Sequence, residues 1–270
     1  MNKSPVFFLS HGAPDFALKP GTLGDTLRRI GANLPRIEAL LVVSAHWQSR
    51  DIRVMTTAEP DTIHDFNGFD PALYDIRYPA PGHPKAAHAA AARLRQAGFT
   101  VNEDEKRGLD HGAWVPLLHL RRDADIPVFQ VSLPVDADSR TAWRIGQALA
   151  ELRTQGIGII GSGSMTHNLY EALGRTPRDP EYAEAFSQWV RETLRAKDVH
   201  ALLDYRQQAP AAERSHPTEE HFLPLVVAAA ASGEQEPACR IEGGIRYGVL
   251  AMDSYAWGLE AGDTGRCQTA

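Results

Sequence analysis

Residues 39–47 read ALLVVSAHW: an uncharged run at 39–44, four of whose six residues are Leu or Val, followed at once by His46. A run this short and this apolar fits a strand buried on both faces, as in a parallel sheet with helices on either side. The same arrangement recurs outward from it. Residues 6–9 (VFFL) lead into Ser10-His11-Gly12, and residues 157–160 (IGII) lead into a glycine-rich turn that ends at His167. Helical stretches are expected at 23–30, 85–97, 112–120, 139–155, 180–195 and 218–231, and further strands at 99–102, 127–133 and 247–253. Alternating strands and helices predict an α/β fold of a single domain, a mostly parallel central sheet covered by helices on both faces. The domain is expected to span 1–260, with 261–270 a flexible tail.

Composition narrows the function. The chain has 270 residues, 43% hydrophobic and 23% charged, which excludes disorder and coiled coil. A net charge of -6 and a pI near 6.0, without basic blocks, argue against nucleic acid and anionic membranes. No apolar run approaches a membrane span and no secretory leader is read, so a cytoplasmic location is expected. Cys239 and Cys267 have no metal-binding spacing and are expected to stay reduced. A monomer or homodimer is the base expectation.

The chemistry lies in where the histidines fall. His11, His46 and His167 each follow a strand, and in open parallel sheets sites form beyond the carboxyl ends of strands. His221 is expected as the third residue of a helix entered through Pro217 and Thr218, whose dipole would keep its ring neutral, as a metal ligand must be. A lone histidine after a strand is ordinarily a hydrogen-bonded loop residue; four converging on one sheet edge make a metal site. Imidazole suits zinc, iron, copper or nickel, so ligand type alone does not name the metal. Glu219 and Glu220 read as acids complementing a helix dipole. His111 follows Asp110, which is expected to fix its tautomer. His64 lies in an irregular stretch, 57–84, too long to be idle inside a compact domain. His83, His88, His119 and His200 read as surface or helix residues.

These stretches carry a resemblance. FLSHGAP at 8–14, VVSAHW at 42–47, IHDFNGFDPALYDIRYPAPGHP at 63–84, GLDHGAW at 108–114, DIP at 125–127, GSGSMTHNL at 161–169 and PTEEHFLP at 217–224 resemble, in order, the DODA-type branch of the class III extradiol dioxygenases. The resemblance implies His11, His46 and His221 as ligands of one metal ion per chain, iron(II) for ring cleavage or zinc(II) as an ion found bound. It implies His167 as the acid/base group or a fourth ligand, and His111 as a second group that handles protons or touches substrate. The implied substrates are O2 and a small catechol, L-DOPA- or caffeate-like, opened to a muconic semialdehyde. His64, Tyr74, Arg77 and Trp47 are candidates for substrate binding, Arg77 because its planar fork suits a carboxylate. Two rivals keep the histidines: a zinc-dependent hydrolase, and a non-enzymatic binding protein of the Memo type.

Overall fold

The structure, a computed structural model, describes residues 3–35, 37–174, 179–233, 236–259 and 268–269. In chain order the elements are β1 Val6–Ser10, α1 Gly21–Ala32, β2 Ala39–Ser49, β3 Ile52–Met55, α2 Pro84–Gln96, β4 Val101–Asp104, α3 His111–Leu120, β5 Val128–Pro134, α4 Ser139–Leu149, β6 Ile157–Gly163, α5 Leu169–Leu173, α6 Glu181–Ala196, α7 Val199–Leu203, α8 Tyr205–Gln208, α9 Ala212–Ser215, α10 Leu223–Ser232, β7 Cys239–Ile241, β8 Ile245–Arg246, β9 Leu250–Ala251, β10 Ser254–Trp257 and β11 Gln268–Thr269.

Nine strands form one sheet in the order β11-β7-β10-β1-β6-β2-β5-β3-β4, and β8 pairs with β9 apart from it. The central strands β1, β6, β2 and β5 are parallel, as the continuous apolar runs require. Their residues from Val6 to Leu9 and from Ala39 to Val43 are fully buried. The flanks are mixed: β10 and β7 extend the sheet antiparallel beyond β1, and β3 is antiparallel to β5 but parallel to β4.

Alternation along β6 shows the two helical layers. Side chains at successive strand positions face opposite ways. A Cβ at Gly161 or Gly163 would strike the backbone of the segment that opens α10, at 2.0 Å from Pro224 O and 2.2 Å from His221 O. Ser162, between them, donates from its hydroxyl to Gly112 O in α3. α10 packs with α4 on one face, and α3 packs with α1 on the other.

Several expectations are corrected. β2 runs on past Ser44 to Ser49, so His46 lies within the strand, beside a register shift between Val43 and Gln48 that re-aims side chains. The late strand expected at 247–253 is instead β9 and β10, separated at Met252 and Asp253. The last turn of the helix expected over 139–155 tightens to 3-10 geometry from Ala150 to Gln155 before Gly156 ends it at φ 82°. Cys239 is disulfide-bonded, against the expectation of reduced thiols. Of the expected tail, Gln268–Thr269 pair with β7, and the rest lies outside the described residues. No helix among the described residues is long and apolar enough to cross a membrane.

Candidate active site

His11 follows β1, and its backbone N–H extends the β1–β6 ladder by donating to Gly163 O at 2.9 Å. His46 enters from the bulged end of β2. His221 arrives from the other helical layer, in the turn before α10. That turn is held to β6 by Ser164 N donating to His221 O at 3.0 Å. The α10 helix begins at Leu223, not at Thr218, so His221 is not in its first turn. Residues 217–222 are spent turning the chain onto the sheet edge. Glu219 and Glu220 therefore do not serve a helix dipole: Glu219 accepts from Tyr205 Oη at 2.8 Å, and Glu220 pairs with His221.

The three rings meet nitrogen to nitrogen. His46 Nε2 lies 3.0 Å from His11 Nε2 and 3.3 Å from His221 Nε2. Partners on the far side of each ring fix the tautomers. Ser162 gives its only proton to Gly112 O, so its Oγ accepts from His11 Nδ1–H at 2.9 Å. Gly112 O is free for this because the residue four positions on is Pro116, which has no N–H to close the helical bond. Glu220 Oε1 accepts from His221 Nδ1–H at 2.9 Å and from Thr218 Oγ1 at 2.9 Å. Both His11 and His221 thus aim an Nε2 lone pair at His46 Nε2, which has at most one proton to share between them.

Two buried lone pairs facing one nitrogen call for a cation. Nitrogen ligands ~2.1 Å from a divalent ion, at 90–109° to one another, stand ~3.0–3.4 Å apart. The spacings seen match that range, and the residues fit a metal. The protonation states agree. Burial, reinforced by His46, holds His11 well below the usual histidine range; burial and then His167 do the same for His221. Burial brings His46 down to about 4. All three are neutral at pH 7, as ligands must be.

Two further histidines flank the cluster. His167 stacks on His221 with ring centroids 3.4 Å apart and planes within 8°. Burial lowers it to about 4. Its nitrogen groups with Glu220 and His221, not with His11 and His46. His111, at the start of α3, lies 3.9 Å from the His46 ring. Its Nδ1–H donates to Asp65, not to Asp110. Asp110 caps α3 by accepting from Ala113 N, and it also accepts from Ser44 Oγ at 2.6 Å and Arg107 at 2.9 Å.

The proposed substrate residues divide. His64 and Tyr74 join Phe66 and Trp114 in an aromatic wall, and the edge of Phe66 meets His111 at 5.6 Å. Trp47 is buried under the Arg107 guanidinium. Arg77 donates to Tyr74 O and Ile76 O, lies 3.5 Å from His64 Nε2, and lines a 470 Å³ cavity with Arg28, His119 and Arg122. His119, expected as a surface or helix residue, lies in α3, where it is 4% exposed and donates to Phe16 O. Ser162 and Asp65, both important here, were not singled out from sequence. Nothing local marks a serine within a glycine-rich strand end, or an aspartate in an irregular loop, as a histidine's partner.

A three-histidine cluster at the carboxyl edge of a largely parallel sheet, flanked by two more histidines, defines a metal-dependent enzyme of a known kind. The family model for the catalytic LigB subunit of aromatic ring-opening dioxygenase matches residues 17–251, and the chain belongs to that family: it is an extradiol aromatic ring-opening dioxygenase. His11 precedes the matched span. Among named relatives, "4,5-DOPA dioxygenase extradiol" of Beta vulgaris is 39% identical over 94% of this chain and 96% of its own. The Escherichia coli K12 protein of the same name is 37% identical over 93% of each. A crystal structure of an uncharacterised Escherichia coli K12 protein superimposes with a TM-score of 0.77 at 31% identity, over 94% of this chain and 99% of that one.

Proposed function

We propose that this enzyme opens the ring of a catechol bearing a side chain, of the L-DOPA or caffeate kind, with O2, yielding a muconic semialdehyde. His11, His46 and His221 hold one metal ion, iron(II) in the working enzyme. The observation that carries this reading is the convergence of three Nε2 atoms, two with their lone pairs fixed by Ser162 and Glu220, at spacings that suit a divalent ion. Membership of a ring-opening family supports the reaction, and the names of the relatives support DOPA-like substrates.

When bound, iron(II) supplies a Lewis acid for the catecholate and the electrons that make O2 reactive, which zinc in the same nitrogen set cannot do. The chain's own residues do the rest. A free phenol titrates near pH ~10, so its second proton needs a base. His167 is neutral at pH 7 and sits against His221. It accepts that proton and later returns it, as an acid/base group and not as a fourth ligand. His111, with Nδ1 facing Asp65 and its ring 3.9 Å from that of His46, serves as the second proton-handling group. Phe66, Tyr74, His64 and Trp114 form the apolar wall that shields the ring and excludes water. Arg77 is not assigned to the substrate carboxylate.

The test is oxygen uptake with a panel of catechols after anaerobic loading with iron(II) or zinc(II). One O2 consumed per catechol, with a yellow product and only in the iron form, is the expected result. Absence of uptake with every catechol in a fully iron-loaded protein would refute the assignment.

A further inference from the structure

Residues 57–84 hold little regular structure beyond the 3-10 turn Pro71–Asp75, yet they are stitched to the segment that leads into α3. Ile63 N donates to Leu109 O and Leu109 N to Asp61 O, both at 2.7 Å, and Trp114 Nε1 donates to Ile63 O at 2.9 Å. These bonds bring the next residues, Asp65 and Phe66, onto His111. Asp65 Oδ1 accepts from both the backbone N and the ring Nδ1 of His111, at 2.9 Å each. Phe66 packs edge-on against the same ring. Burial opposes ionisation of Asp65, but the hydrogen bonds from His111 more than offset it and hold the carboxyl at about 2.

We infer that Asp65 is a positioning residue for the ring-opening reaction: it locks His111, whose ring lies 3.9 Å from that of His46, as the Nδ1–H tautomer with Nε2 as the free acceptor. A carboxylate oxygen is acceptor-only, so the nitrogen that faces it must carry the proton. The other nitrogen is then the one free to take a proton from substrate. Because the same oxygen also takes the His111 backbone N–H, the ring and the start of α3 are fixed by one group. The irregular segment thereby contributes a positioning group, Asp65, besides the aromatic wall. Asp110, adjacent in sequence, is occupied by Ser44, Arg107 and the α3 cap and cannot do this. The inference rests on the reading of His111 as a proton-handling group.

The experiment compares D65A, D65N and H111A, singly and as the double variant D65A/H111A, in the iron-loaded enzyme. In parallel, 15N NMR of the histidine rings is recorded in the zinc-loaded protein, with a zinc competition titration for each variant. D65A is expected to lower kcat ~10²-fold with KM changed less than about threefold. D65N keeps an oxygen in place to accept from Nδ1 and should recover a large part of that loss. In the H111A background D65A should cost less than about twofold, since the group it positions is gone. Zinc affinity should stay within about threefold throughout, which shows the fold and the three-nitrogen cluster intact. The NMR spectrum should show His111 protonated at Nδ1 in the parent and D65N, and a mixed or reversed tautomer in D65A. Equal losses from D65A with and without His111, or a His111 tautomer unmoved in D65A, would overturn the inference. If no catechol is turned over by the parent, the ring-opening reading fails, while the tautomer measurement still decides whether Asp65 sets the state of His111.

Discussion

Replacing Gly163 with alanine tests how the third histidine reaches the site. Gly163 ends β6, and an added Cβ would lie 2.2 Å from His221 O, a contact with rigid backbone. The two must separate by ~0.8 Å merely to reach 3.0 Å, which exceeds the ~0.5 Å tolerance of a preorganised site. Either β6 or the turn carrying His221 moves, and the bond from Ser164 N to His221 O lengthens with it. His221 Nε2 then leaves its 3.3 Å station beside His46. Overpacking of this sort costs ~1–3 kcal/mol, and loss of ligand placement should weaken metal binding ~10–100-fold. Zinc affinity by competition with a chromophoric chelator measures the second quantity, and the urea midpoint of the metal-free protein measures the first. The G163A protein should fold, lose a modest part of its stability and lose most of its affinity. Parental zinc affinity in a folded G163A protein would show that His221 is not held by this close approach.

The remaining predictions concern the orienting groups and pH. The E220Q substitution replaces a charged acceptor with a neutral one beside His221 Nδ1–H and should weaken zinc binding ~10-fold without altering the fold, read by the same competition assay. The S162A substitution leaves His11 Nδ1–H buried without its acceptor and frees the ring to change tautomer, so a loss of similar size is expected. Acid should destabilise the metal-free protein well above the carboxylate range. Burial, foremost, lowers His119 to about 4 and His216 to about 3 from 6.5, so the folded state binds fewer protons than the unfolded state in that interval. Their contribution is therefore present in full above pH 6.5 and is lost as pH falls toward 4. The slope is ~1.4 kcal/mol per pH unit for each histidine, and H119Q should flatten the urea midpoint plotted against pH.

Much of this was legible in the chain because the strongest signals are local. Uncharged runs at 6–9, 39–44 and 157–160 have no other stable home than the centre of a covered parallel sheet, and β1, β2 and β6 occupy it. A histidine just after such a run is carried to the sheet edge by geometry alone, which is why the sequence itself pairs His11 with His46. What was not legible depends on contacts distant in sequence. Thr218 looks like a helix cap, but the chain uses 217–222 to lay His221 O against Gly163, and the helix waits until Leu223. Asp110 looks like the partner of His111 because it is adjacent, yet its carboxylate is taken up by Ser44, Arg107 and the cap, and the partner comes from Asp65, 46 positions earlier. The antiparallel flank formed by β10 and β7 rests on short segments whose pairing only the fold supplies. Arg77 has the chemistry of a carboxylate binder, but backbone carbonyls of its own loop turn it toward a different cavity.

The central claim is that His11, His46 and His221 together hold the metal at which the ring is opened. Iron bound per chain and oxygen consumed per catechol, measured side by side in the parent and in H11A, H46A and H221A, test it most directly. One iron per chain and stoichiometric oxygen uptake are expected in the parent, with both lost in each variant while the fold persists. A variant that still binds iron one to one and still consumes oxygen with catechol would contradict it.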